Sequence, residues 1–215
     1  MATRVVVFDL DGTISDPLLG FSRSINHALS LQGLPERAPA DLARFIGPPL
    51  YESAVELTVS ADPGAHARLI ADYRQRYGDT GYAENTLYDG IPAVLHALRD
   101  SGATLGLCTS KRADFAERIL RLFGLRELFA FVSGGDIGVH KWQQLRALRE
   151  AGAVDGDSVM VGDRAVDVAS AHRNGLHACA VLWGFGSLDE LQAERPRHIA
   201  KKPEDLLGLL HAVHL

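Results

Sequence analysis

The spacing of apolar residues divides the chain into two regions. Between about residues 18 and 85, apolar residues recur every three to four positions, which is the spacing of an amphipathic helix. Beyond Tyr88, short apolar runs alternate with helical patterns. Strands that alternate with helices form a parallel sheet covered by helices on both faces. The pattern therefore predicts an α/β core with an all-helical segment inserted near its start.

The strands and helices of the core follow from this alternation. The apolar run from Val5 to Phe8 is the first predicted strand, and Gly12 marks the turn after it. Later strands are predicted over 104–108, 130–132, 158–161 and 177–182. Helices are predicted over 91–98 with Asp89 as the N-cap, 115–122, 141–150 and 167–173, followed by a capping-box helix start at 187–190 and a last helix opened by Pro203. This order predicts a Rossmann-like parallel sheet.

The inserted segment is too long to be a simple crossover. A parallel crossover needs a dozen or more residues, whereas the stretch from Asp16 to Asp89 is several times that length. Turn sequences such as Gly47-Pro48-Pro49 divide it into roughly four short helices. We therefore expect a Rossmann-like core formed by residues 1–15 and 86–215, and a small all-helical cap formed by residues 16–85.

Composition narrows the class of protein. The chain has 215 residues, of which 47% are hydrophobic and 23% charged, as in an ordinary globular enzyme. A net charge of -5 without a long basic run argues against a nucleic-acid partner. No apolar stretch reaches the roughly 18 residues of a membrane span, and the N-terminal region lacks the pattern of a signal peptide. We expect a cytoplasmic enzyme, monomeric or homodimeric, in which Cys108 and Cys179 are small buried thiols.

Two acidic residues follow the first strand directly. Asp9 and Asp11 are two positions apart and therefore point to the same side of an extended chain. Two carboxylates at the end of an apolar strand are costly unless a cation or a hydrogen-bond network compensates them. A hard divalent cation with oxygen ligands is the simplest such compensation. The pair indicates a magnesium enzyme that acts on phosphate.

Three other predicted strand ends carry polar residues. Thr109 and Ser110 offer hydroxyl groups that suit either a phosphate oxygen or a helix N-cap. Lys141 stands at a helix start, where acids are normally preferred, as either a phosphate-binding charge or a solvated lysine. Asp163 and Asp167 lie one helical turn apart, as either a cation site or an acid pair at a helix N-terminus. Open α/β sheets bind ligands at the carboxyl ends of their strands, so agreement among the four strand ends favours a functional site.

The order of these motifs resembles that of the haloacid dehalogenase-like hydrolase superfamily. The motifs are Asp-x-Asp-Gly-Thr at 9–13, Thr-Ser-Lys at 109–111, Lys141, and Gly-Asp-x-x-x-Asp at 162–167. A helical cap inserted after the first motif resembles the subgroup that contains phosphoglycolate phosphatases and β-phosphoglucomutases. The sequences at 45–50 and 182–187 resemble the phosphoglycolate-phosphatase-like branch, some members of which are nucleotidases or phosphotyrosine phosphatases.

The resemblance implies a phosphomonoester hydrolase with an aspartyl-phosphate intermediate. Asp9 is the implied nucleophile, and Asp11 is the implied acid that protonates the leaving alcohol and then activates water. Lys141 is implied to neutralise the nucleophile and the transferring group, and Thr109 to bind a phosphate oxygen. A carboxylate that attacks a phosphate dianion meets charge repulsion, which a metal ion and a lysine offset.

The resemblance also implies the binding residues. The implied Mg²⁺ ligands are the Asp9 carboxylate, the Asp11 backbone carbonyl and Asp163, with Asp167 adjusting the site through water or Lys141. Further substrate-binding positions are expected at Gly12, Thr13, Ser110, Arg44 and Gly47.

Other reactions and substrates remain open at the level of sequence. Asp11 disfavours dehalogenation, because dehalogenases of this superfamily lack the second aspartate, and a cap without lysine disfavours phosphonate cleavage. A phosphomutase resembling β-phosphoglucomutase keeps the same core motifs, and a non-catalytic phosphate-binding protein is the alternative from another class. The expected substrate is a small phosphorylated compound: phosphoglycolate-like, a nucleotide or an aryl phosphate. Arg44 and the Gly47-Pro48-Pro49 turn either approach it when the cap closes or form a plain interhelical turn.

Overall fold

The core is a parallel sheet, in a computed structural model that describes residues 4–210. The strands of this part of the chain are β1 Val5–Phe8, β2 Ser15–Asp16, β3 Thr86–Leu87, β4 Thr104–Thr109, β5 Phe129–Gly134, β6 Val159–Gly162, β7 His177–Val181 and β8 His198–Ala200. Six of them form one sheet in the order β5-β4-β1-β6-β7-β8, and every neighbouring pair is parallel. The predicted Rossmann-like α/β fold is confirmed.

Helices cover both faces of this sheet and fill the inserted segment. Over residues 4–210 the α-helices are α1 Leu18–Leu31, α2 Pro39–Leu42, α3 Leu50–Thr58, α4 Pro63–Asp79, α5 Ile91–Asp100, α6 Ala113–Leu122, α7 Lys141–Glu150, α8 Ala165–Arg173 and α9 Leu188–Ala193. Short 3₁₀ helices are found at Ala43–Phe45, Gly81–Glu84, Arg126–Leu128 and Pro203–Leu210. None of the helices between residues 4 and 210 combines the length and apolar character needed to cross a membrane.

Alternation along β1 divides the core into two layers. Val6 and Phe8 are fully buried in a cluster that includes apolar residues of α5 and α6. Val7 points to the opposite face and packs in a second cluster with residues of α7 and α8. Burial on both faces explains why β1 reads as a continuous apolar run rather than an alternating one. The predicted burial of Cys108 and Cys179 is found in these same two clusters.

The inserted segment has a hydrophobic cluster of its own. Its buried residues come almost entirely from 21–77, and Phe115 of α6 joins them from the core. Where the segment leaves and rejoins the core, β2 and β3 pair antiparallel, a contact that apolar spacing did not predict because each strand is only two residues long. A separate cluster supports the proposed division into core and cap, whose boundaries remain a prediction.

Several predicted details of the core are wrong. Asp89 is not the N-cap of α5: that position is Gly90, whose φ of +83° lies in the left-handed region that glycine adopts most readily. The segment after Pro203 is a 3₁₀ helix, and β8 was not predicted at all. At α9 the Ser187 hydroxyl accepts from the Glu190 backbone N–H as expected. The Glu190 carboxylate, however, accepts hydrogen bonds from Arg164 Nε and the Ala165 backbone N–H, so it does not complete a capping box.

Candidate active site

The topology brings three strand ends together. β1 lies between β4 and β6 in the sheet, so Asp9 just beyond β1 has Thr109 on one side and Asp163 on the other. The Asp9 backbone N–H donates to the Val161 carbonyl at 2.9 Å, which extends the pairing of β1 with β6 up to the site. The predicted residues therefore stand at one edge of a rigid sheet, the position where open α/β folds bind ligands.

Lys141 lies between two of the acidic residues. Its side chain is fully buried at the N-terminus of α7. Its Nζ is 3.0 Å from Asp9 Oδ2 and also contacts Asp167 Oδ1. Burial lowers the pKa of Lys141, but the Asp167 and Asp9 carboxylates more than offset this, and the net pKa lies above its ordinary value. The side chain is a fixed positive charge, not the solvated lysine of the alternative interpretation.

Asp163 is fully buried beside the first motif. Its Oδ2 accepts a 2.8 Å hydrogen bond from the Phe185 backbone N–H, and its Oδ1 accepts one of 3.3 Å from the Thr13 hydroxyl. A Cβ added to Gly12 would lie 2.1 Å from Asp163 Oδ2, and Gly12 has a φ of +81°. Thr13 therefore contacts Asp163, and Gly12 leaves room for the Asp163 carboxylate; that both residues bind substrate stays a prediction.

Three carboxylates form a group that suits a divalent cation. One oxygen from each of Asp9, Asp163 and Asp167 lies within 4.8 Å of the others. Asp9 Oδ1 is buried without a hydrogen-bond partner among the described residues. Burial, Asp167 and Asp9 together raise the pKa of Asp163 to about 8. Three carboxylates with one lysine leave excess negative charge, and carboxylate oxygens are the ligands that Mg²⁺ prefers, so the residues fit that ion.

The two oxygens of Asp167 already have partners. Oδ1 contacts Lys141, and Oδ2 accepts a 3.0 Å hydrogen bond from the Arg164 backbone N–H. Burial raises the pKa of Asp167, with Lys141 opposing the effect. These contacts favour a role for Asp167 in holding Lys141 over one as a freely available metal ligand.

Asp11 has a different cation from Asp9. Lys111 Nζ lies 2.9 Å from Asp11 Oδ2, and both side chains are largely buried. Burial raises the pKa of Asp11, and the charge of Lys111 opposes this rise. Asp11 Oδ1 is buried and has no hydrogen-bond partner among the described residues, which leaves one oxygen of this carboxyl group available to a ligand.

The end of β4 provides hydroxyl groups to a cavity that Asp9 and Asp11 also line. Thr109 is buried, and its Oγ1 accepts a 3.3 Å hydrogen bond from the Lys111 backbone N–H. Thr109 and Ser110 line the cavity together with Asp9 and Asp11. Neither residue caps α6, whose N-cap is Arg112, so the helix-cap alternative does not explain them.

The cap provides the opposite wall of this cavity. The loop that follows the 3₁₀ turn at 43–45 lines the cavity and includes Gly47. The other cap residues that line it are mostly apolar or aromatic: Phe21, Phe45, Ile46, Pro48, Pro49, Leu50, Tyr51 and Tyr73. Gly47 has a φ of +106°, and a Cβ there would come within 2.9 Å of Arg164 Cγ. Arg44, by contrast, is not brought to the site: its side chain is 65% exposed and pairs with Glu56.

Contacts between cap and core were missed by sequence reasoning. Lys111 Nζ donates to the Tyr77 hydroxyl of α4 at 2.7 Å, and Arg74 Nη2 donates to Asp136 Oδ1 at 2.8 Å. Arg164 Nη1 donates to the Ile46 carbonyl of the cap loop. Nothing in periodicity links residues so far apart in the chain. Lys111 alone carried a signal, because it follows the Thr-Ser pair directly.

The chain is similar to known hydrolases over most of its length. The family model described as haloacid dehalogenase-like hydrolase matches residues 6–181. A 5'-nucleotidase of Pseudomonas aeruginosa is 39% identical over 90% of this chain and 89% of its own length. A phosphoglycolate phosphatase of Cereibacter sphaeroides is 33% identical over 84% of this chain and 85% of its own length. The crystal structure of a predicted phosphatase from Clostridium acetobutylicum has a TM-score of 0.92 and 31% identity, over 99% of this chain and 100% of that one.

These matches decide the family. The chain belongs to the haloacid dehalogenase-like hydrolases, in the phosphoglycolate-phosphatase-like branch, and it is a phosphatase of that family. The predicted superfamily, branch and enzyme class are thereby confirmed.

Proposed function

We propose that this phosphatase hydrolyses small phosphomonoesters in a Mg²⁺-dependent reaction through an aspartyl-phosphate on Asp9. The observation that carries the proposal is the pairing of each motif aspartate with its own buried lysine. Lys141 contacts Asp9, and Lys111 contacts Asp11. In the proposed reaction Asp9 attacks phosphorus and Asp11 transfers protons. The two lysines place these carboxylates in different surroundings.

Asp9 is the proposed nucleophile. Its Oδ2 is held by Lys141 and its Oδ1 has no partner among the described residues, so one oxygen is free to attack phosphorus. Lys141 offsets part of the repulsion between the carboxylate and the phosphate dianion. A covalent intermediate divides one difficult displacement into two easier steps. Thr109 and Ser110, which line the same cavity, are proposed to donate hydrogen bonds to phosphate oxygens.

Mg²⁺ is the proposed cofactor, held by Asp9 and Asp163 with the backbone carbonyl of Asp11. Bound there, it would supply Lewis-acid neutralisation of the negative charge on the phosphate oxygens. The chain's own residues keep the carboxylates in place: Thr13 and the Phe185 N–H hold Asp163, and Lys141 with the Arg164 N–H holds Asp167. These contacts support the predicted division of the acidic residues between ligands and positioning groups.

Asp11 is the proposed acid and base. In the first step it gives a proton to the leaving oxygen, and in the second it takes a proton from the water that attacks the aspartyl-phosphate. Its buried Oδ1, which has no hydrogen-bond partner among residues 4–210, is the atom proposed to meet the leaving oxygen and then the water.

The cavity favours an aromatic leaving group over phosphoglycolate. The carboxylate of phosphoglycolate would need a free cation in the cavity, yet Arg74 is paired with Asp136 and Arg112 with Asp114. The apolar cap wall instead suits a flat, weakly polar group such as an aryl ring or a nucleobase. The relative named 5'-nucleotidase, at 39% identity, agrees with this choice, whereas the relative named phosphoglycolate phosphatase, at 33% identity, does not.

The proposal is tested by phosphate release from a matched panel of esters. Nucleoside monophosphates, p-nitrophenyl phosphate, phosphoglycolate and glucose 1-phosphate are incubated with the enzyme, with Mg²⁺ or with a chelator. We expect Mg²⁺-dependent phosphate release, with higher kcat/KM for the aromatic esters than for phosphoglycolate. An isomerised sugar phosphate without free phosphate would indicate a mutase, and binding of esters without turnover would indicate a non-catalytic phosphate-binding protein. Either result would refute the proposal.

A further inference from the structure

Lys111 connects the core to the cap at the acid–base residue. It follows the Thr-Ser pair at the end of β4, and only 7% of its side chain is exposed. Its Nζ is 2.9 Å from Asp11 Oδ2 and 2.7 Å from the Tyr77 hydroxyl. One ammonium group therefore joins a carboxylate of the core to a phenol of α4.

Tyr77 is itself held in place. Its ring is fully buried, stacks on Tyr73 and meets Phe115 edge to face. Its hydroxyl also accepts a 3.1 Å hydrogen bond from Asn85 Nδ2, and Asn85 Oδ1 accepts one from the Ser15 hydroxyl at 3.3 Å. The position of the phenol is thus set by both connections between cap and core, and the phenol in turn restricts where Lys111 can lie.

From this arrangement we propose that Lys111, held by Tyr77, is a positioning residue for Asp11. The inference rests on the proposed function, in which Asp11 is the acid and base. Lys111 holds Oδ2 and thereby directs the partner-free Oδ1 of Asp11 towards the leaving oxygen. Tyr77 comes from the cap, so Asp11 is aligned fully when α4 is packed on the core. Lys141 cannot substitute, because it is committed to Asp9 and Asp167.

The test is the dependence of the Lys111→Met variant on the leaving group. Benzyl phosphate and p-nitrophenyl phosphate have similar size, but the alkoxide of the first needs a proton as it leaves and the nitrophenolate of the second does not. General acid catalysis contributes about 10²–10⁴-fold. We expect kcat/KM of Lys111→Met to fall about a hundredfold for benzyl phosphate and less than about tenfold for p-nitrophenyl phosphate. Lys111→Arg should recover part of the loss.

Two further variants separate positioning from a structural role. Tyr77→Phe removes only the hydroxyl and should reproduce the same selective loss in milder form, whereas Tyr82→Phe, a partly buried ring packed under Arg118, should not. In an Asp11→Asn background, Lys111→Met should cost nothing further on benzyl phosphate, because the group that it positions is gone.

Two outcomes would overturn the inference. Equal losses on both esters would mean that Lys111 binds phosphate or only supports the fold, and additive losses in the double variant would mean that it acts independently of Asp11. Absence of turnover by the wild-type enzyme would instead reject the proposed function, so the two failures are distinguishable. Far-ultraviolet circular dichroism and thermal unfolding of each variant confirm that folded enzymes are compared.

Discussion

Lys141→Met is expected to destabilise the metal-free enzyme strongly. The substitution keeps an unbranched side chain of similar length but removes the charge that contacts Asp9 and Asp167. At 3.0 Å, with an effective dielectric constant of about 20, the Coulomb attraction of Lys141 to Asp9 alone is roughly 5.5 kcal/mol before the cost of desolvating the two charges. Removal of one partner from a buried ion pair costs about 3–5 kcal/mol. We expect the free energy of unfolding to fall by about that amount at pH 7.

Urea unfolding with a chelator, and again with Mg²⁺, measures this effect. Mg²⁺ offsets the charge of the same carboxylates, so it should reduce the difference in the free energy of unfolding between Lys141→Met and the wild type. Lys201→Met is the matched control, because Lys201 is exposed and its loss should change the free energy of unfolding by less than about 0.5 kcal/mol. A metal-free loss below about 1 kcal/mol for Lys141→Met would refute the view that this lysine neutralises the acidic cluster.

Three further predictions concern the surroundings of the site. Gly12→Ala should weaken Mg²⁺ binding measured by calorimetry, because the added Cβ would clash with Asp163. The control is Gly102→Ala, which shares the positive φ but meets no atom within 4 Å and should leave Mg²⁺ binding unchanged. Equal Mg²⁺ affinities of the two variants would contradict this prediction. Because the pKa of Asp163 is raised to about 8 from 3.8, the folded state keeps a proton that the unfolded state releases. The unfolding free energy without metal should therefore fall from about pH 4 to pH 8, with Mg²⁺ flattening the profile, and a rise with pH would count against it. Arg164→Gln should raise KM severalfold, because it removes the hydrogen bond that holds the Ile46 carbonyl of the cap loop. An unchanged KM across the ester panel would show that this loop does not contact the leaving group.

The core was accessible to sequence reasoning because its signals are local. The apolar run of β1, the turn at Gly12 and the helical periodicity each depend on neighbouring residues, and α7 was predicted with its observed bounds. The sequence-based prediction failed where more than one local arrangement could start a helix or where a strand was very short. Gly90 and not Asp89 precedes α5, because a left-handed glycine turns the chain there without a side-chain cap. β8 has three residues and was too short to stand out.

The candidate site likewise has a part that could be predicted from local sequence and a part that could not. Parallel topology brings the ends of β1, β4 and β6 together, so the meeting of Asp9, Thr109 and Asp163 could be predicted from strand ends alone. The pairing of Lys111 with Tyr77 could not, since it depends on how the cap packs against the core. The exposed position of Arg44 has the same origin: periodicity assigns the residue to a helical region but does not say which way its side chain points.

Asp9 is the residue that we expect to carry the phosphoryl group. The most direct measurement is mass spectrometry of enzyme acid-quenched during turnover of p-nitrophenyl phosphate with Mg²⁺, combined with the turnover rate of Asp9→Asn. We predict one phosphoryl group on the peptide that contains Asp9, and a loss of at least about a thousandfold in turnover for the variant. A phosphoryl group on a different residue, or turnover by Asp9→Asn at the wild-type rate, would contradict the account.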